Sequence, residues 1–162
     1  MNSFEITRKK WIGISVFLLD FSKGFVVVLL TRHFFKDNDF SLLLSTLFVV
    51  LGHNYSIFLK FKGGKGLATT TGVLFLVQPI VLLIWFIIWS VFYNFVKKDM
   101  DLANPFATIL APFCFFAIPE NFAQQAAFIS IQSKLFLFIN LAFISLIISS
   151  KYFSMIIKFL KK

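Results

Sequence analysis

No feature of this sequence limits its folding more than the length of its apolar runs, which fall at about 12–32, 42–59, 67–96, 102–118 and 135–150. A helix rises about 1.5 Å per residue and needs roughly 20 apolar residues to cross ~30 Å of hydrocarbon. The first two runs therefore fit single membrane spans. Composition leads the same way: 59% of the 162 residues are hydrophobic, 19% aromatic and 14% charged, where a soluble domain carries roughly 25% charged. A water-soluble fold of this length has no interior large enough to hide that surface. The solvent is a bilayer, and the chain reads as one membrane domain, 1–162.

The third run is too long for one span. Its stretch from 67 to 96 would reach ~45 Å as a helix, and Gln78-Pro79 lies inside it, where proline removes a backbone donor and clashes with the preceding turn. Either one long kinked helix runs through, or the chain turns at Pro79. Charge arbitrates. With a turn, one side of the membrane gathers Arg8, Lys9, Lys10, Lys60, Lys62, Lys65, Lys97, Lys98, Lys151, Lys158, Lys161 and Lys162, and the other keeps only Arg32, Lys36 and Lys134. A single helix nearly equalises the two sides, so the positive-inside rule selects the turn. The expected architecture is an all-α, polytopic membrane bundle of about six helices, 12–32, 42–59, 67–77, 79–96, 102–118 and 135–150, with both ends cytoplasmic. Helix 67–77 is short or re-entrant and must be sheltered by its neighbours.

Several readings fall away. The net charge of +9 is not the mark of a nucleic-acid binder, because the cations lie between apolar runs rather than along one helix face; orientation and anionic lipid account for them. Arg8, Lys9 and Lys10 precede the first run as in a secretory signal. That run is too long for one, carries Asp20 and Lys23, and lacks a small-x-small cleavage site. Cys114 stands by itself in an apolar run and reads as a packing residue, with neither a disulfide nor a Cys-based metal site implied.

Against this background the segment LGHNYSIFLKFKGGKGLATTTG, 51–72, is out of character. In FKGGKG, 61–66, glycines permit positive φ and let N–H groups converge on an anion, the following helix adds its positive end, and Lys62 and Lys65 add formal charge. The loop suits phosphate. It is not a nucleotide P-loop, since G-x-x-x-x-G-K-[ST] is absent and Leu67 follows Gly66. The bland alternative is a flexible basic loop obeying the positive-inside rule. His53 and Asn54 upstream tilt the balance, because such groups in lipid need partners or a wet site. Thr69, Thr70 and Thr71 are candidates for the same pocket wall, although a membrane threonine often bonds only its own i−4 carbonyl. Asp20 and Lys23, three apart, read as a structural ion pair, and His33 as an interfacial anchor. No metal is implied.

The same residues carry a family resemblance. GHNYSIFLKFKGGKGLATTTGV resembles the second signature of the PlsY-type glycerol-3-phosphate acyltransferases, GHN-x-P-x-F-L-x-F-K-G-G-K-G-V-A-T, departing at Ser56 and Leu67. LLDFSKGFVVVLL resembles that family's LLDxxKGxxAVLL helix and sets Asp20, Lys23 and Gly24 on its expected positions. The resemblance implies transfer of an acyl group from acyl phosphate to the sn-1 hydroxyl of glycerol 3-phosphate, giving lysophosphatidic acid, at the cytoplasmic face of a bacterial inner membrane and without a cofactor. It also implies a phosphate-binding role for Gly63, Gly64, Lys65 and Gly66, with His53, Asn54 and Thr69 as pocket candidates. Aligning Asn2 with the last Asn of the family's first signature, GSGNxGATN-x-x-R-x-x-G-x-K-K, sets Glu5 where its arginine stands, and its serine has no counterpart in 1–162. Tyr152 and Met155 stand where the third signature, H-x-x-N-I-x-R-L, has His and Asn. No catalytic residue is assigned. The expectation is that 1–162 by itself forms no lysophosphatidic acid, with a separate upstream fragment as a possible partner. The alternative class is a non-enzymatic membrane or lipid-binding protein.

Overall fold

The computed structural model describes residues 10–36, 38–61, 63–96, 98–129, 131–153 and 157. Glu5, Lys9, Lys62, Lys97, Met155 and Lys162, to which the sequence reading gave roles, lie outside the described residues. Those described form helices and loops: α1 (Lys10–Phe35), α2 (Asp39–Asn54), a 3-10 turn (Ile57–Leu59), α3 (Leu67–Val77), α4 (Pro79–Phe95), α5 (Met100–Ala117), α6 (Glu120–Gln125) and α7 (Lys134–Ser150).

Local chemistry sets the ends. The Asn38 side chain accepts the Ser41 N–H at 3.0 Å to open α2, Asp99 accepts the Asp101 and Leu102 N–H groups to open α5, and Ser133 caps α7. Each replaces a partner that the first turn of a helix lacks. Pro79 occupies the first turn of α4, where its missing N–H removes no helical bond. Helix therefore stops at Val77, Gln78 adopts an extended φ of −157°, and the chain reverses. The second run departs from a continuous span 42–59: α2 ends at Asn54, and Ile57–Leu59 tightens into the 3-10 turn. The short α6 between α5 and α7 carries too few apolar residues to have shown in the hydropathy pattern.

Among the described residues, Lys10–Phe35, Asp39–Leu59 and Met100–Ala117 are long and apolar enough to cross a membrane. Helix α3, at 11 residues, reaches only ~16 Å. It lies in the middle of the bundle, burying Thr69, Thr70, Gly72, Val73, Leu74 and Val77. Glycine lets it sit there. A Cβ on Gly24 of α1 would collide with the Thr69 carbonyl oxygen, and one on Gly72 of α3 with the Phe21 carbonyl oxygen, so the two backbones touch as small residues allow in lipid.

Polar ties replace the hydrophobic force that lipid removes. Asn140 of α7 donates to the Leu43 carbonyl at 2.7 Å and its side-chain oxygen accepts from Thr46 at 3.2 Å. Ser145 donates to the Thr108 carbonyl at 2.7 Å, and Trp85 to the Thr108 hydroxyl at 3.0 Å. Large side chains such as Phe17, Leu18, Phe48, Phe86, Phe113 and Leu146 lie outside the bundle, the arrangement a hydrocarbon solvent favours.

Candidate functional site

One end of the bundle collects the 55–66 segment, the start of α5 and the end of α7. Three contacts fix this gathering: Lys65 with Asp101, Lys151 with the Phe61 carbonyl at 3.2 Å, and Tyr55 with Ser150 at 2.5 Å. The loop of Gly63, Gly64, Lys65 and Gly66 lies in the middle of that end.

Its shape is imposed by the two residues that precede it in space, His53 and Asn54. The Gly64 N–H donates to the His53 carbonyl at 3.2 Å, and a Cβ on Gly63 would strike that same oxygen. A Cβ on Gly64 would strike the imidazole Nε2. Gly66 caps α3 with φ +82°, a left-handed conformation that glycine adopts without strain, and its missing Cβ leaves room for the Asn54 side-chain oxygen. Asn54 is fully buried, with its amide donating to the Lys65 carbonyl at 3.4 Å and to the Ile147 carbonyl at 3.3 Å. The glycines thus fit the loop to the end of α2. The loop leads into the N-terminus of α3, which has no side-chain cap, and whose first N–H groups and positive dipole end are suited to an anion.

The Lys65 ammonium is half-buried. It pairs with Asp101 and lies 4.4 Å over the Tyr152 ring. Tyr152 is fully buried and its phenol oxygen accepts from Asn104 at 3.0 Å. Burial pushes that phenol above its ordinary pKa, with the Asp101 carboxylate adding to the rise and the Asn104 hydrogen bond opposing it. The ring therefore stays neutral beneath the ammonium. An incoming anion meets Lys65 already held by a carboxylate and must share or replace it.

Behind the loop, Asp20 and Lys23 pair at 2.8 Å, and the pair is not isolated. The Asp20 carboxylate also faces His53 Nδ1 at 3.5 Å, which joins α1 to the residue that shapes the loop. Of the threonines, Thr71 bonds the Leu67 carbonyl at 2.9 Å. Thr69 is fully buried, and its hydroxyl has no partner among the described residues; Thr70 opens on a different space. That space is a cavity of about 60 Å³ beside α3, lined chiefly by Leu67, Thr70, Leu74, Trp85, Ala111 and Ile148. Among the described residues no three His, Cys, Asp or Glu side chains converge as a metal site. Asp101 and Asn104 were not singled out from sequence, and Lys151 only as a cation on the same side of the membrane as Lys65. For Asp101 the Asp99-x-Asp101 start of α5 is the available hint, and it reads as a helix cap.

A family model described as glycerol-3-phosphate acyltransferase matches residues 1–162. The chain belongs to the glycerol-3-phosphate acyltransferase family. It is 38% identical over 111 residues to the glycerol-3-phosphate acyltransferase of Wolbachia sp. subsp. Brugia malayi, covering 67% of this chain and 58% of that one. It is 43% identical over 110 residues to the Aquifex aeolicus enzyme, covering 66% and 56%, and 31% identical over 182 residues to the Aster yellows witches'-broom phytoplasma enzyme, covering 99% and 76%. The chain thus spans less than two thirds of the length of the first two. Solved structures of PlsY (YgiH), an integral membrane glycerol 3-phosphate acyltransferase, superpose with TM-scores of 0.74 in the lysophosphatidic acid form and 0.75 in the glycerol 3-phosphate form, each at 32% identity and over 72% of that chain. They cover 96% and 98% of this one. A family member of this fold is an α-helical integral membrane protein, as the apolar runs required.

Proposed function

We propose that this chain works in acyl transfer from acyl phosphate to the sn-1 hydroxyl of glycerol 3-phosphate at the cytoplasmic face of a bacterial inner membrane, with Gly63–Gly66 and Lys65 as a phosphate cradle. The observation that carries this reading is the loop itself: glycines fitted against His53 and Asn54, with Lys65 among them, leading into an uncapped helix N-terminus. The relatives named glycerol-3-phosphate acyltransferase, and the PlsY structure in its glycerol 3-phosphate form, support glycerol 3-phosphate as the acceptor; the acyl phosphate donor is part of the proposal.

Acyl phosphate is already activated. The alcohol oxygen bonds to the acyl carbon, the bond from that carbon to the phosphate oxygen breaks, and phosphate departs with the proton released overall. What a protein must supply is alignment of alcohol and carbonyl and stabilisation of growing negative charge. The cradle suits a phosphate group of either substrate. Asp20, through His53, and Asn54, through the Lys65 carbonyl, hold the cradle in shape. The apolar cavity beside α3 suits hydrocarbon.

A second reading is a non-enzymatic membrane protein that keeps the cradle. The pairing of Lys65 with Asp101 favours it, because the cation is already neutralised within the protein. Glycerol 3-phosphate titration and a lysophosphatidic acid assay on the full chain separate the two. Turnover that vanishes in Lys65→Ala supports the enzyme; binding without turnover supports the second reading; neither binding nor turnover removes the loop as a phosphate site.

A further inference from the structure

Directly before the glycine loop, four successive or near-successive apolar side chains are exposed together. Phe58 is 98% exposed, Ile57 76%, Phe61 61% and Leu59 59%. These residues continue the apolar span Asp39–Leu59 beyond the end of α2, so the surface is contiguous with the membrane-facing part of the protein.

Part of the backbone of this turn is paired within the protein. The Leu59 and Phe61 N–H groups both donate to the Ser56 carbonyl, at 3.1 and 2.9 Å, and the Lys60 N–H donates to the Ile57 carbonyl at 3.1 Å. The Phe61 carbonyl accepts from the Lys151 ammonium. Such pairing lowers the cost of placing irregular backbone at the interfacial edge of a bilayer, where headgroups and water serve the remaining groups. Lys60 and Phe61 take left-handed φ of 50° and 63°, a conformation unfavourable for both residues, and the bonds to Ser56 and Lys151 hold them in it.

Charge identifies the occupant. Between Tyr55 and Gly66 the sequence has no Asp or Glu. Lys60 is exposed, and Lys151 stands 4.0 Å over the Tyr55 ring. An apolar tip with a basic rim matches the boundary between acyl chains and anionic headgroups.

We propose that Ile57–Phe61 is a membrane-interface wedge that inserts into an anionic leaflet and fixes the depth of the neighbouring glycine loop. The wedge does not depend on what the loop binds. It sets the loop at headgroup level, where a phosphate carried on a lipid-soluble chain would lie.

The test uses the full chain in nanodiscs of phosphatidylglycerol and phosphatidylcholine, with Phe58→Cys in a Cys114→Ser background carrying a nitroxide. Power saturation compares collisions with oxygen, which partitions into lipid, and with a water-soluble nickel chelate. Collisions dominated by oxygen, with a depth just below the headgroups, are expected. In parallel, spin-labelled phosphatidylglycerol is expected to be enriched over phosphatidylcholine in the motionally restricted lipid shell. Lys60→Gln, an exposed change that leaves the turn intact, should lower that enrichment by at least a fifth. Nickel-dominated collisions at position 58 overturn the wedge. So does dipolar broadening that disappears on dilution with unlabelled protein, which would show a second copy on this surface, and so does enrichment that Lys60→Gln leaves unchanged.

Discussion

Cations tie the fold together at both ends of the bundle, but the two ends differ in what the fold leaves uncapped and exposed. At the end away from the glycine loop, Arg32 pairs with Asp39 at 2.7 Å and donates to the Lys36 carbonyl at 2.8 Å. The other Asp39 oxygen accepts the Gln132 N–H at 2.7 Å. Lys134 donates to the carbonyls of Phe116 and Ile118, which closes the last turn of α5 as a basic group does at a helix C-terminus. Every one of these bonds completes the fold. At the loop end Lys151 likewise ties the fold, to the Phe61 carbonyl, but the N-terminus of α3 carries no side-chain cap, glycines take the place of side chains, and the Asp101 carboxylate that Lys65 pairs with lies partly in solvent. The loop end is the candidate binding site because it keeps an uncapped helix N-terminus and a cation whose partner an anion from solvent can reach.

Substitutions at the two ends test that contrast. The largest effect is expected from Gly66→Ala, which must adopt φ +82° and meets the Asn54 side chain; glycerol 3-phosphate affinity should fall at least a hundredfold by calorimetry in detergent, with lower thermal stability. Gly64→Ala, which meets a side chain rather than needing a strained φ, should lose affinity with less loss of stability. Lys65→Ala removes a charge-assisted contact worth roughly 1.5–3 kcal/mol, so the same titration should weaken about 10- to 150-fold.

Asp39→Ala should reverse the pattern. It removes acceptors for Arg32 and the Gln132 N–H, lowering stability by about 1–3 kcal/mol in a denaturant titration while glycerol 3-phosphate affinity stays within twofold. If Asp39→Ala weakened binding as much as Lys65→Ala, the division between a structural end and a binding end would be lost. The smallest effect is expected for Tyr152→Phe, which keeps the ring under Lys65 and removes only the acceptor for Asn104, a bond worth about 1 kcal/mol. Affinity for glycerol 3-phosphate should stay within threefold.

The position of the glycine loop 63–66 was legible because glycines beside lysines interrupt two apolar runs, and the involvement of His53 and Asn54 because polar groups in a span demand partners. The pairing of Lys65 with Asp101 was not. The two residues are 36 apart in the chain, and Asp101 reads equally well as part of the α5 cap. Tyr152 entered through a family signature that expects a different residue, which revealed nothing about its position under the ammonium. Asp20 and Lys23 were legible as neighbours on one helix face, yet the third member, His53, comes from another helix.

The sequence by itself determined the helical class, the membrane as solvent, the reversal at Gln78-Pro79 and the place of the glycine loop, because each follows from run length, proline chemistry or local spacing. Tertiary structure decided which helix became central and what each polar group faces. Gly24 and Gly72 admit α3 against α1, and that packing sets the loop under His53 and Asn54. It also brings Asp101 and Tyr152 to Lys65. Such contacts join residues far apart in the chain, so no local pattern encodes them; they arise when backbones approach as closely as glycine permits and buried polar groups in lipid find their partners among whatever that approach brings within reach.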